Sequence, residues 1–137
     1  MIPIIGNFIL VLALLFSILQ FLISIKKNQF LKKENGVIVG GLLLSSLSAF
    51  LLLTYAHIIS DFNLLNVFLN SHTTKPILYK ISGVWGNHEG SMLLWILVLS
   101  IINFFMFKLY NQTNTLFVSK ALQIQAFITI GFLLFIL

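Results

Sequence analysis

The sequence predicts an all-α, polytopic transmembrane helical bundle of about four membrane helices, with a long outer loop before the third. Three observations predict it. Of 137 residues, 59% are hydrophobic and only 8% charged, more apolar surface than a core of this size encloses in water. The apolar residues gather in four runs, each near the roughly 20 residues that a bilayer-crossing helix needs. The eight basic residues are all lysines and stand at the ends of those runs, not along one stripe, so the formal charge of +5 marks membrane topology and no nucleic-acid partner is expected.

The first helix is expected over about 4–25. No basic residue precedes it and no short core with a small-residue cleavage site follows, which argues against a cleaved signal peptide. The loop after it, Lys26 to Asn35, reads KKNQFLKKEN, with four lysines against one glutamate. Such a loop belongs on the cytoplasmic or matrix side, which sets the N-terminus outside.

The second helix is expected over 36–59. Gly41, Ser45 and Ala49 recur every four residues along one face and would let a neighbouring helix approach closely. At its outer end His57 and Asp61 are four residues apart, a possible outer-face pair if the helix persists. The connection from Asp61 to Ser82 is long for a compact membrane protein. Within it Phe62, Leu65, Phe68 and Leu69 recur at helical spacing, as in a short amphipathic helix on the outer surface, and Pro76 should then break any helix. His72 reads as an ordinary exposed residue.

A third helix is expected over 91–110 and a fourth over 120–137, which is still apolar where the sequence stops. Lysines 26, 27, 32, 33, 108 and 120 fall inside, and Lys75 and Lys80 outside. The whole is read as one membrane region, 1–137, a piece of a larger or divided protein.

Chemistry concentrates in Val84 to Trp95, VWGNHEGSMLLW. This stretch holds the two tryptophans, and the adjacent His88 and Glu89 lie between Gly86 and Gly90 at a helix mouth. Trp85, Gly86, Gly90 and Glu89 also have plain structural explanations. Tryptophan suits the headgroup level, glycine permits a tight bend or close backbone approach, and a carboxylate suits a helix N-terminus.

The stretch resembles the tryptophan-glycine-x-histidine-glutamate-glycine-serine segment of the CcmF family, membrane proteins of cytochrome c maturation. The resemblance extends to the opening helix, to YAHIISDFNLLNV at 55–67 and to the final ITIGFLLFIL. It implies a part of the haem lyase assembly that brings haem and apocytochrome c together on the outer side of a bacterial or mitochondrial inner membrane. The composition, rich in Phe, Ile, Asn and Lys, suits an organellar or other AT-rich genome. Trp85, Gly86, His88, Glu89, Gly90, Ser91 and Trp95 would be the assembly motif. The implied partners are lipid, the remainder of the protein or other lyase subunits, a haem chaperone and apocytochrome c.

The family's tryptophan-rich haem-handling segment, of the form WGGWWxWDPxEN, is absent from these residues, so no axial ligand for haem is assigned here. Asn87 stands where relatives commonly carry Gly or Ala. The expectation is therefore scaffold and docking surface, with no catalytic residue.

Other chemistries find little support. Without cysteine there is no thiolate metal site, no disulfide and no CxxCH haem attachment motif. Met92 takes the position of the second histidine of a zinc-binding HExxH, and no metal site is expected. Phosphate-cradling GxxxxGK and nucleophile-elbow GxSxG patterns are missing. A proton- or ion-translocating subunit is the competing class, but every Lys, Asp and Glu lies near a helix end or in a loop. A small structural subunit of a respiratory complex is a third reading.

Overall fold

The computed structural model describes residues 1–25, 36–109 and 115–137, and among them every regular element is helical. Helices α1 (Ile2–Ile25), α2 (Gly36–Ile59), α5 (His88–Leu109) and α6 (Thr115–Ile136) are long and apolar enough to cross a membrane. At 1.5 Å per residue each reaches about 33–36 Å. Between α2 and α5 lie two short helices, α3 (Leu65–Asn70) and α4 (Ile77–Gly83). The basic loop Lys26 to Asn35 and the segment from Tyr110 to Asn114 lie outside the described residues, so the inner-side expectations placed on them do too.

The four spans form a square. Helix α1 packs on α2 and α6, and α5 packs on the same two from the opposite corner. Each span turns a narrow stripe inward, in which small and polar residues stand among a few large apolar ones. In α1 the buried residues are Ala13, Ser17, Gln20 and Ser24, while Phe8, Leu15 and Leu22 face outward. Lipid is as apolar as leucine, so close backbone approach and interhelical hydrogen bonds hold such helices together.

Gly41 shows the approach directly. A Cβ there would lie 2.6 Å from the Phe16 ring, so the ring seats on the glycine backbone. Ser45 and Ala49 are buried on the same helix, with the Ser45 hydroxyl donating back to the Gly41 carbonyl. Ala13, Leu42, Ile96 and Leu133, one from each span, meet in the apolar core.

A polar layer unforeseen from sequence lies deeper. Gln20 is fully buried, and its Nε2 donates to the Leu122 carbonyl on α6 at 3.2 Å. Asn103 of α5 donates to Gln20 Oε1 at 3.4 Å, linking opposite corners of the square. Ser46 and Ser100 share a 2.8 Å hydrogen bond between α2 and α5. Buried amides and hydroxyls in a bilayer must find partners inside the bundle.

Four expected boundaries change. Helix α1 opens two residues earlier than expected. Helix α6 starts at Thr115, so Lys120 sits within the helix and not before it. Pro76 opens α4 where it was expected only to break a helix. Its extended backbone (φ −56°, ψ 148°) and carbonyl, which accepts from Tyr79 and Lys80, suit the residue before a first turn. Helix α5 starts at His88, three residues before the expected Ser91, for a reason that lies in the site.

Candidate functional site at the capped end of the bundle

Helices α3 and α4 sit at the end where α2 finishes and α5 begins. Helix α2 stops at Ile59 because Ser60 adopts a left-handed conformation (φ 55°), with Ser60 N–H donating to the His57 carbonyl and Asp61 N–H to that of Ala56. This turn removes Asp61 from the helix, so the structure does not bring His57 and Asp61 together. Asp61 instead accepts from Asn63, while His57 is fully buried with Nδ1 3.0 Å from the Leu53 carbonyl and Nε2 without a hydrogen-bond partner.

The two lysines at this end both serve helix termini. Lys80 Nζ donates to Ser60 Oγ at 2.6 Å and to the Ile58 carbonyl at 3.5 Å, and Lys75 Nζ donates to the Asn70 carbonyl at 2.9 Å. Cations there meet the negative ends of α2 and α3. Their local role accounts for lysines on the face where a charge count predicts few.

The stretch 84–91 folds into a tight turn organised by Asn87. Its Oδ1 accepts from Gly90 N–H at 2.7 Å, the bond of an N-cap residue to the third residue of its helix. Its Nδ2 lies 3.3 Å from the carbonyls of Gly83 and Val84 and 3.2 Å from Asn66 Oδ1. Asn66, on α3, returns a 3.0 Å bond to Asn87 Oδ1 and donates to Glu89 Oε2 at 2.5 Å. A reciprocal amide pair thus ties α3 to the start of α5.

Gly90 is where the chain approaches itself closely. A Cβ would lie 1.6 Å from the Val84 carbonyl oxygen, so only glycine fits. At Gly86 the same test meets backbone atoms at 3.5 Å and beyond, and no glycine among the described residues has positive φ. The expected close approach therefore belongs to Gly90 and not to Gly86. Ser91 Oγ closes the turn by donating to the Trp85 carbonyl at 2.6 Å.

Asn87, Gly90 and Ser91 are occupied in building the turn, and Glu89 is tied to Asn66. Trp85 and His88 are exposed, and neither indole nor imidazole makes a hydrogen bond in the turn. Trp95 is 60% exposed on α5, seven residues after His88 and so on the same side of the helix. Beside them the short helices present Leu65, Phe68, Leu69, Ile77, Leu78 and Tyr79, all exposed. His72, in the turn between α3 and α4, is exposed as well.

Sequence reasoning missed Asn66. Its signal was the polar side of the amphipathic stretch, which nothing local linked to a partner 21 residues later.

Two recesses adjoin the turn. One, about 620 Å³ including its open mouth, is lined by all four spans together with Leu64 and Asn66, and Glu89 stands at its rim. The other is a polar groove between Asn66, Leu69, Asn70, Asn87, His88 and Glu89. The first holds no histidine and the second holds one. No group of three or more His, Asp or Glu that could hold a metal ion occurs among the described residues. This donor set does not fit a haem pocket, which needs an iron ligand facing a ring-sized apolar slot.

Fold and site define a multi-pass α-helical membrane protein with a cluster of polar side chains, Asn66, Asn87, His88 and Glu89, at one end. No family model matches the chain. It is 37% identical over 137 residues to the cytochrome c-type biogenesis protein CycK of Bradyrhizobium diazoefficiens, covering 96% of this chain and 21% of that protein. To the cytochrome c-type biogenesis protein CcmF of Haemophilus influenzae it is 36% identical over 141 residues, covering all of this chain and 22% of that one. The solved cytochrome c haem lyase CcmF superposes on 97% of the chain with a TM-score of 0.85 and 27% identity, and the match spans 23% of that structure. The chain belongs to the CcmF family of cytochrome c-type biogenesis proteins, and it spans about a fifth of the length of the relatives it matches.

Proposed function

We propose that this chain is a membrane segment of a cytochrome c haem lyase assembly, supplying scaffold and a docking surface for the step that brings haem and apocytochrome c together. The observation that carries the reading is the division of labour in 84–91. Three residues build the turn, and the exposed Trp85 and His88 are left free on it, beside apolar side chains that no span covers. A surface that is both fixed and apolar suits a protein partner. The likeness to CycK and CcmF, which runs along this chain and about a fifth of theirs, supports this reading of the process.

In this reading the capped end faces the periplasm or intermembrane space of a bacterial or mitochondrial inner membrane, and the N-terminus lies on that side. The partners are the remainder of the lyase or its other subunits, a haem chaperone and the apocytochrome. Haem, when bound elsewhere in the assembly, supplies the iron-porphyrin to be attached. This chain's own residues position the partners, and no haem ligand is assigned among them.

The test is crosslinking from a photoreactive amino acid at Trp85 or at Ile101, carried out in cells expressing a tagged apocytochrome c. Adducts with the apocytochrome or with a lyase component from position 85 and not from position 101 are expected. Equal adducts from both, or none from position 85, would overturn the reading.

A further inference from the structure

We infer that the recess between the four spans is a binding site for one amine-headed phospholipid, phosphatidylethanolamine, with an acyl chain among the spans and the ammonium on Glu89. The site stands whether or not the chain serves haem attachment.

The walls come from every span at the same end of the bundle: the start of α1 (Ile2, Leu10), the end of α2 (Leu52, Leu53), the start of α5 (Leu93) and the end of α6 (Ile136). Leu64 and Asn66 also line it, from the segment that leads into α3 and from α3 itself. The recess, about 620 Å³ counting the open space at its mouth, gives water few partners, since its polar side chains are Asn7, Asn66 and Glu89. An apolar chain suits the ten apolar or glycine residues of the lining, with Asn7, Asn66 and Glu89 left to face a polar head, and a bilayer offers acyl chains at this depth.

Glu89 selects the head. It is the one residue with a charged side chain on this recess, and it lines the polar groove as well, so an apolar chamber and a headgroup-sized groove share one carboxylate. Its Oε2 accepts from the neutral amide of Asn66. The lysines of the cap are engaged elsewhere, Lys75 on Asn70 and Lys80 on Ser60 and Ile58, and neither lines either recess. An exposed carboxylate at the end of the membrane-crossing helices, with neither cap lysine on it, favours an ammonium donor and disfavours an anionic head. His88, in the same groove, lies on the headgroup side.

The experiment places the full chain in nanodiscs of equal phosphatidylethanolamine and phosphatidylglycerol and reads the lipids that stay bound by native mass spectrometry. One phosphatidylethanolamine per chain is expected, preferred about fivefold, the scale of a single partly exposed charge contact. Glu89→Gln should bring that preference close to one while lipid remains bound. Gly6→Leu should reduce retention of both lipids, because a Cβ at Gly6 meets only Leu52 at ordinary contact distance, 3.7 Å, and the longer side chain fills the recess. Leu53→Phe fills it from the α2 wall and guards against misfolding of the first variant. Equal retention of the two lipids by the unaltered chain would overturn the proposal, as would phosphatidylethanolamine binding that ignores both Glu89→Gln and the filling variants.

Discussion

Replacing Gly90 by alanine tests the turn most sharply. The added methyl would sit 1.6 Å from the Val84 carbonyl oxygen and 2.8 Å from its carbon, where real contacts need more than 3 Å. The carbonyl cannot retreat cheaply, because Val84 is fully buried and its oxygen already accepts from Asn87. Relieving the clash means opening 84–90, which breaks the Asn87 cap on Gly90 and strains the Asn66–Asn87 pair. Overpacking costs about 1–3 kcal/mol and a lost cap about 1 kcal/mol, so the total should be about 2–4 kcal/mol. For a chain of this size that lowers the midpoint of thermal unfolding in detergent by roughly 5–15 °C. Gly86→Ala is the matched control and should cost within about 0.5 kcal/mol, since its Cβ would meet only ordinary contacts. Fluorescence-detected gel filtration after heating reads both. Equal midpoints for Gly90→Ala and Gly86→Ala would refute the geometry.

Asn87→Ala should cost about 1–2 kcal/mol in the same assay, the upper end of a cap loss, because Asn66 loses its partner as well. Gly41→Leu should destabilise by about 1–3 kcal/mol through its clash with Phe16, whereas Gly40→Ala, with open space around its Cβ, should be neutral or slightly stabilising. Gln20→Leu should cost about 1 kcal/mol by stranding the Asn103 amide, while Asn103→Leu should cost less, since its Oδ1 already lacks a partner.

The spans were legible because a bilayer demands long apolar runs whatever the packing. Their inner faces were less so. The Gly41, Ser45 and Ala49 stripe is visible because small residues recur at one spacing, but Gln20 and Asn103 are single polar residues whose meaning depends on being brought together across 83 positions. Helix ends were misjudged where polar first turns hide from hydrophobic periodicity: Asn87 caps α5, which starts at His88, yet the apolar run starts only after Gly90. At the site, sequence pointed to the right stretch but could not sort builders from bystanders. Gly86 and Gly90 look alike in the sequence, and only the return path of Val84 separates them.

The measurement that tests the central claim most directly is covalent haem on cytochrome c in cells whose lyase carries Trp85→Phe, His88→Gln or both, read beside the membrane abundance of the altered chain. Neither side chain hydrogen-bonds the turn, and both replacements keep its aromatic or polar character, so abundance should stay normal. Maturation should fall with each substitution and further with both. Full maturation in the double variant would contradict a docking role for the capped end, and a loss that only tracked disappearance of the chain would return these residues to structure.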